Sequence, residues 1–235
     1  MKNYPQELEF DPAGQRSNLK LLAAVHRMLQ PGGYFEIGVR WGDSLALAGD
    51  ETFSLAVDPA PELRCARPKR SLILRQTSDA FFRRYSRLLR MSPWKFRMGL
   101  IDGMHLAEYV LRDFTNLESV MAAGGLIVFD DTNPASEDIA RREKGDGAWT
   151  GDVWKALSIL RRYRPDLQMI TFDVQPAGLT LVRRLDPQNS VLRESYEELL
   201  QALSHLNFKS DFEQELKPLV KPYSAQALLD FFNDG

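Results

Sequence analysis

The amino-acid sequence predicts an α/β protein, a doubly wound and mostly parallel sheet followed by a C-terminal helical extension. Three observations predict it. Five short apolar runs, YFEIG (34–38), FSLAVD (53–58), SLILRQ (71–76), FRMGLID (96–102) and GLIVFDD (125–131), each end near glycine or polar residues, as strands buried on both faces do. Stretches with apolar residues at helical spacing separate most of them, notably SDAFFRRYSRLLR (78–90) and HLAEYVLRDFTNLESVMAA (105–123). The 235 residues, 44% hydrophobic and 26% charged, suit one globular domain able to bury about 70% of its unfolded surface. Alternation of strand and helix along the chain selects the parallel sheet.

The remaining elements follow in order. Residues 17–29, SNLKLLAAVHRML, read as a helix with Ser17 as candidate cap, broken by Pro31-Gly32-Gly33 just before the first strand. After the fifth strand, the polar stretch 132–152 is too long for an ordinary connection and reads as a functional lid or a mobile segment. A helix over 152–163 comes next. LQMITFDV (167–174) and GLTLVRRL (178–185) then flank Gln175-Pro176-Ala177 as a hairpin that completes the sheet. From Pro187 onward the pattern is helical, interrupted at Pro218 and Pro222. There Val191, Leu192, Tyr196, Leu199, Leu200 and Leu203 form an apolar stripe that must pack on its own domain or on a second subunit, which points modestly towards a homodimer. The division is therefore 1–33 for an N-terminal segment and helix, 34–185 for the core and 186–235 for the extension.

Charge names no partner. The 30 Lys plus Arg nearly cancel the 32 Asp plus Glu, so no whole-chain field draws the protein to nucleic acid or to an acidic membrane. The run Arg83-Arg84-Tyr85-Ser86-Arg87-Leu88-Leu89-Arg90 is explained by one solvated helix face. A single cysteine, Cys65, forms no internal disulfide, which fits a reducing cytoplasm. The opening MKNYPQELEFDPAG lacks an apolar leader region and no apolar run is long enough to cross a bilayer, so a soluble, unprocessed protein is expected.

Candidate site residues sit where the strands end. Glu36-Ile37-Gly38-Val39-Arg40-Trp41-Gly42-Asp43-Ser44 places two glycines where a buried strand reverses, permitting positive φ and close approach of a ligand. This is not the G-x-G-x-x-G pattern that cradles a pyrophosphate, so a cofactor without phosphate is favoured. Asp58, ending the second strand, is placed to accept hydrogen bonds from ribose hydroxyls, or else to cap a helix. Ser78-Asp79, after the third strand, either faces an adenine or caps the following helix. Asp102 ends the fourth strand, with His105 three residues beyond it, and Asp130-Asp131 end the fifth. An imidazole with an ordinary pKa near 6.5 can take a proton from a hydroxyl. His26 and His205 have no such context and read as packing or surface residues. Asn133, Arg141, Arg142, Lys144, Trp149 and Trp154, in or beside 132–152, either close over an acceptor or serve only surface and packing roles.

Taken together, Glu36-Ile37-Gly38 through Ser44, Asp58, Ile101-Asp102-Gly103-Met104-His105 and Gly124 through Asp131 resemble the successive motifs of class I S-adenosylmethionine-dependent methyltransferases. Within that class they resemble the group containing sugar O-methyltransferases of macrolide and aminocoumarin biosynthesis and the cephalosporin hydroxylase-like family. The resemblance spans about 34–184. It implies a Rossmann-like seven-stranded sheet of order 3-2-1-4-5-7-6. It also implies a cofactor, S-adenosylmethionine, with Glu36 and the Gly38–Gly42 turn around its methionine part and Asp58 on its ribose; Ser44, Ser78, Asp79 and Asp102 are the further candidate contacts. In the sugar enzymes resembled, acids at the positions of Asp102, Asp130 and Asp131 hold a divalent metal and a histidine at the His105 position is a proposed base. Three acids converging at strand ends about 4.8 Å apart would favour a cation, and an all-oxygen set suits Mg²⁺. This sequence has Asp-Asp at 130–131 where part of the wider family has His-Asp.

The expected activity is methyl transfer to a hydroxyl of a small molecule, a sugar or glycosylated secondary metabolite, with Asp102 and His105 catalytic. Alternatives are a metal-independent methyltransferase, a nicotinamide-dependent oxidoreductase, which shares the ribose acid but needs the missing fingerprint, and a cofactor-binding protein without turnover.

Overall fold

A computed structural model describes residues 17–233. The opening fourteen residues, read above as lacking a leader, lie outside the described residues. The elements, in order, are α1 (Ser17–Leu29), β1 (Gly33–Ile37), β2 (Phe53–Val57), β3 (Ser71–Leu74), α2 (Ser78–Met91), β4 (Phe96–Ile101), α3 (Ala107–Glu118), β5 (Met121–Phe129) and α4 (Val153–Tyr163). They continue through β6 (Gln168–Asp173), β7 (Leu179–Arg183), α5 (Val191–Glu194), α6 (Tyr196–His205), β8 (Lys221–Pro222) and α7 (Ala225–Asn233). Short 3₁₀ turns at Leu45–Leu47 and Lys217–Leu219 and a π-helical stretch, Phe208–Leu216, complete the set.

The sheet runs β3-β2-β1-β4-β5-β7-β6-β8. Its β1 to β5 pairings are parallel, and β7 is antiparallel to both β5 and β6. Alternating residues of each strand feed two cores. Phe35, Ile37, Leu55 and Val57 face α2, α3, α4 and the π-helical stretch, whereas Tyr34, Ala56, Met98 and Leu100 face α1 and α7. Both sides of the central strands are therefore dry, which is why those strands read as continuous apolar runs.

The structure alters the sequence reading at three places. α3 ends at Glu118, and β5 already begins at Met121, pairing with Phe96 before a register shift. Periodicity alone could not separate the apolar Val-Met-Ala-Ala end of a helix from the start of a buried strand. The extension is not all helical: β8 adds an eighth strand, parallel to β6 through Phe172↔Lys221 and Asp173↔Pro222. An edge strand is one of the few sheet positions that tolerates proline. Finally, the apolar stripe of the extension is only partly covered by its own domain, with Val191 exposed. Leu192, Leu199 and Leu203 are buried in the same core as Val110 and Phe114 of α3 and Leu157 and Leu160 of α4.

The exposed face of α2 carries Arg83, Arg84, Arg87 and Arg90, with Phe81 and Phe82 buried behind it. His26 is a packing residue, 4% exposed against Tyr34. Among the described residues no helix is long and apolar enough to cross a membrane.

Candidate active site

Parallel strands deliver their last residues to one edge of a sheet, and there the turns after β1, β2, β3, β4 and β5 surround a cavity of about 800 Å³. Gly38, at φ +86°, makes the crossing of two of these turns possible, because a side chain there would overlap the Asp102 carbonyl. The two turns are tied by the Asp102 N–H donating to the Ile37 carbonyl at 2.8 Å. Beside them Asp58 accepts from the backbone N–H groups of Val39 and Arg40, both at 2.8 Å, and from Ala60 at 2.7 Å. This carboxylate lines the cavity while holding the glycine turn in shape.

At the other side of the cavity stands a chain of charges. His105 Nε2 lies 3.0 Å from Asp102 Oδ1, and its Nδ1 lies 2.9 Å from Asp131 Oδ2. Burial pulls the imidazole pKa down, but the hydrogen bonds and charges of the two carboxylates outweigh it and push it up to about 10. A pKa that high keeps His105 an imidazolium at neutral pH. Asp130 and Asp102 are both held above the usual carboxylate range, first by burial and then by the negative charge of their neighbours. Both His105 (φ +57°) and Asp131 (φ +59°) occupy the left-handed backbone region, a local strain that surrounding structure must hold in place.

That support comes from 132–152, which is ordered and hydrogen-bonded. The Trp149 ring stacks on His105 with centroids 5.2 Å apart and planes 10° from parallel. Gly151, at φ +62°, lets the chain pass against the His105 carbonyl, to which the Asp152 N–H donates at 3.1 Å. Asp152 in turn accepts from the Ala107 N–H at the start of α3 and pairs with Arg142, which also grips Glu108 at 2.7 and 2.9 Å. The segment thus has a defined, hydrogen-bonded conformation packed against His105.

A family model described as a methyltransferase domain matches residues 35–132. Residues 35–132 are thus similar to a methyltransferase domain. The sheet, extended by β8, has the strand order expected from the resemblance, and solved structures share the fold. Cofactor-bound Rv0187 from MTB aligns at 15% identity over 73% of this chain and 81% of that one, with a TM-score of 0.54. An O-methyltransferase from Bacillus cereus, solved in complex with SAH, aligns at 10% identity over 72% and 81%, with a TM-score of 0.52. SAH-bound Podospora anserina methyltransferase PaMTH1 aligns at 16% identity over 74% and 82%, with a TM-score of 0.50. No curated protein matches the chain.

The residues expected at the site divide. Gly38, Asp58, Ser78, Asp79, Asp102, His105, Asp130 and Asp131 all line the cavity. Glu36 and Ser44 do not. Glu36 is fully buried, bonded to Tyr34 Oη at 2.7 Å and Ser44 Oγ at 2.6 Å, and burial raises its pKa to about 8. The resemblance implied a cofactor contact for Glu36, but alternation along β1 turns this side chain towards α1. Gly42, at φ +83°, shapes the turn from outside the cavity lining. Thr77 rather than Ser78 caps α2, accepting from the Ala80 N–H at 3.2 Å. Asp79 is clamped by Arg112 at 2.6 and 3.1 Å.

The acidic trio is also rearranged. Ligand atoms within 4.8 Å of one another come from Asp102, His105 and Asp131. Asp130 instead accepts from its neighbour's backbone N–H at 2.8 Å and from Asn18 of α1 at 3.3 Å. Two acids adjacent in sequence at a strand end point different ways, and only one can share the histidine. Trp154 is core, 2% exposed against Phe208 and Phe212, and so closes over nothing. Sequence reasoning missed Arg40 and Tyr109 on the cavity wall, and Asp113 behind it. Asp113 is buried and bonded to Ser78, its pKa raised to about 7 by that burial. Its helical spacing marked the position as inward-facing, but an acid there carried no motif signal.

Proposed function

We propose that this protein transfers the methyl group of S-adenosylmethionine to a hydroxyl oxygen of a sugar or glycosylated small molecule. The observation that carries the reading is the Asp102–His105–Asp131 group on the cavity wall opposite Asp58. In the step, an oxygen–methyl bond forms as the sulfur–methyl bond breaks. The bond pair stays on sulfur, leaving a neutral thioether, and the hydroxyl proton goes to His105 Nε2. His105 accepts that proton only after its own has left, which requires other positive charge against Asp102 and Asp131. The cofactor's sulfonium is one such charge. Trp149 stacks on the imidazole and has Lys144 Nζ 5.7 Å from its ring centroid, so an aromatic ring and a cation border that wall.

The donor set fits a divalent cation, since buried carboxylates outnumber the imidazolium and two of them already aim at one point. Asp102 and Asp131 would hold it. Such an ion supplies a lowered hydroxyl pKa and a fixed hydroxyl orientation. His105 as a resident cation favours a second reading, in which transfer needs no metal.

Methyl-labelled S-adenosylmethionine, incubated with a panel of sugars and glycosides with Mg²⁺ or with excess chelator, tests both. A labelled methyl ether that forms with Mg²⁺ and falls sharply with chelator supports the assisted mechanism. An equal yield in chelator leaves the metal-independent one, and label found only on amine nitrogen overturns the hydroxyl acceptor.

A further inference from the structure

The charge of the whole chain is nearly balanced, but its distribution is not. Residues 61–97 hold 11 of the 30 Lys and Arg and 2 of the 32 Asp and Glu, and one of those two acids, Asp79, is already clamped by Arg112. The excess is densest on α2. Arg83, Arg84, Arg87 and Arg90 are all exposed, and among the described residues none of them pairs with an acid; Arg84 lies over its neighbour Tyr85, 5.4 Å from the ring centroid. Arg83 and Arg87 stand four residues apart, and Arg84, Arg87 and Arg90 three apart, so like charges meet on adjacent turns and weaken the helix. Phe81 and Phe82, anchored in the core on the opposite face, hold α2 in place against that repulsion.

The same face carries apolar side chains that a purely solvated helix does not need. Leu88 and Met91 are 69% and 73% exposed, and they follow Arg84 and Arg87 by four residues, which sets each of them beside a guanidinium group. Trp94, 40% exposed, comes just after the helix and is held edge-on against Phe53 and Phe96. Nucleic-acid phosphates are bound by cations and polar donors and make no use of exposed aliphatic groups. An anionic lipid surface uses both kinds of side chain, cations against the head groups and aliphatic or indole groups at the acyl boundary.

We propose that α2 and Trp94 form a docking surface for an anionic phospholipid membrane. Arg83, Arg84, Arg87 and Arg90 face the head-group phosphates, and Leu88, Met91 and Trp94 enter the interface between them. None of these seven residues lines the candidate active-site cavity, so the surface and the cavity are separate features of the protein.

The test is co-sedimentation of the intact protein with phosphatidylcholine vesicles made with and without phosphatidylglycerol. Binding to the mixed vesicles that fades as salt rises is expected, with little binding to phosphatidylcholine alone. Replacing Arg83→Ser and Arg87→Ser together should weaken it about fivefold for each arginine removed, whereas Arg83→Lys with Arg87→Lys should keep most of it. Leu88→Ser with Met91→Ser should weaken it about fivefold or more and leave the salt dependence in place. All four positions are exposed, so these variants leave the core intact. Equal binding to both kinds of vesicle, binding to neither, or binding indifferent to the arginine pair overturns the proposal. Loss with the arginine pair but not with the apolar pair assigns the face to a partner held by charge alone. Capture of a mixed-sequence RNA without vesicle binding assigns it to nucleic acid, and either of these results overturns the lipid surface.

Discussion

Asp58 and Asp102 hold matching places, each one residue past the end of a strand that pairs with β1. Their surroundings differ. Asp58 spends both oxygens on three backbone N–H groups of neighbouring turns, whereas Asp102 meets His105 and stands beside two further carboxylates. A strand-end acid becomes scaffold where unpaired N–H groups converge on it, because those donors have no other acceptor. It becomes reactive where other acids crowd it, because burial and repulsion then leave proton and cation binding finely balanced. The nucleoside side and the chemical side of one cavity are built from the same residue type by this difference.

The largest expected effect is on the chemical side. His105→Ala should lower turnover by about 10²–10⁴-fold and leave S-adenosylhomocysteine affinity nearly unchanged. A near-normal kcat would remove His105 as proton acceptor and break the contrast. The pH dependence of folding gives a second reading of the same residue. With its pKa raised in the folded state to about 10, His105 contributes stability that is complete below its unfolded value near 6.5 and is lost as pH rises through about 10. Denaturant titrations of wild type and His105→Ala between pH 6 and 10 should therefore converge at the alkaline end.

A smaller effect is expected at Asp58. Its replacement by alanine leaves three backbone N–H groups without their acceptor, costing about 1–3 kcal/mol of stability, with cofactor affinity falling alongside as the glycine turn loosens. Asp58→Asn, which keeps one acceptor oxygen, should fall between. Lost affinity with undiminished stability would make Asp58 a ligand contact and not a scaffold.

The smallest effect is at Glu36, behind the turn. Its pKa is raised to about 8, so the folded state binds the extra proton and stability declines as pH rises from about 4.5 towards 8. Glu36→Gln should flatten that slope without abolishing cofactor binding, since the side chain does not reach the cavity. A slope that persists in the variant would assign it to other groups.

Strand and helix alternation made β1 to β7 legible because each buried strand is a short apolar run bounded by turn residues. β8 was not legible, since two residues, one of them proline, carry no periodicity. At the site, motif spacing found Asp102, His105 and Asp131, but local spacing cannot say which carboxylate of an adjacent pair turns inward. That choice depends on Asn18, far away in sequence, whose amide draws Asp130 aside. Arg40 was hidden for a related reason. It lies inside the motif that was read for its glycines, and only the fold brings it onto the cavity wall.

The most direct test of the account is calorimetry on the intact protein with S-adenosylhomocysteine and with NAD. The structure predicts one S-adenosylhomocysteine per chain and no heat from NAD, because the turn after β1 offers glycines for close approach but no pyrophosphate cradle. Binding of NAD with none of S-adenosylhomocysteine would contradict it.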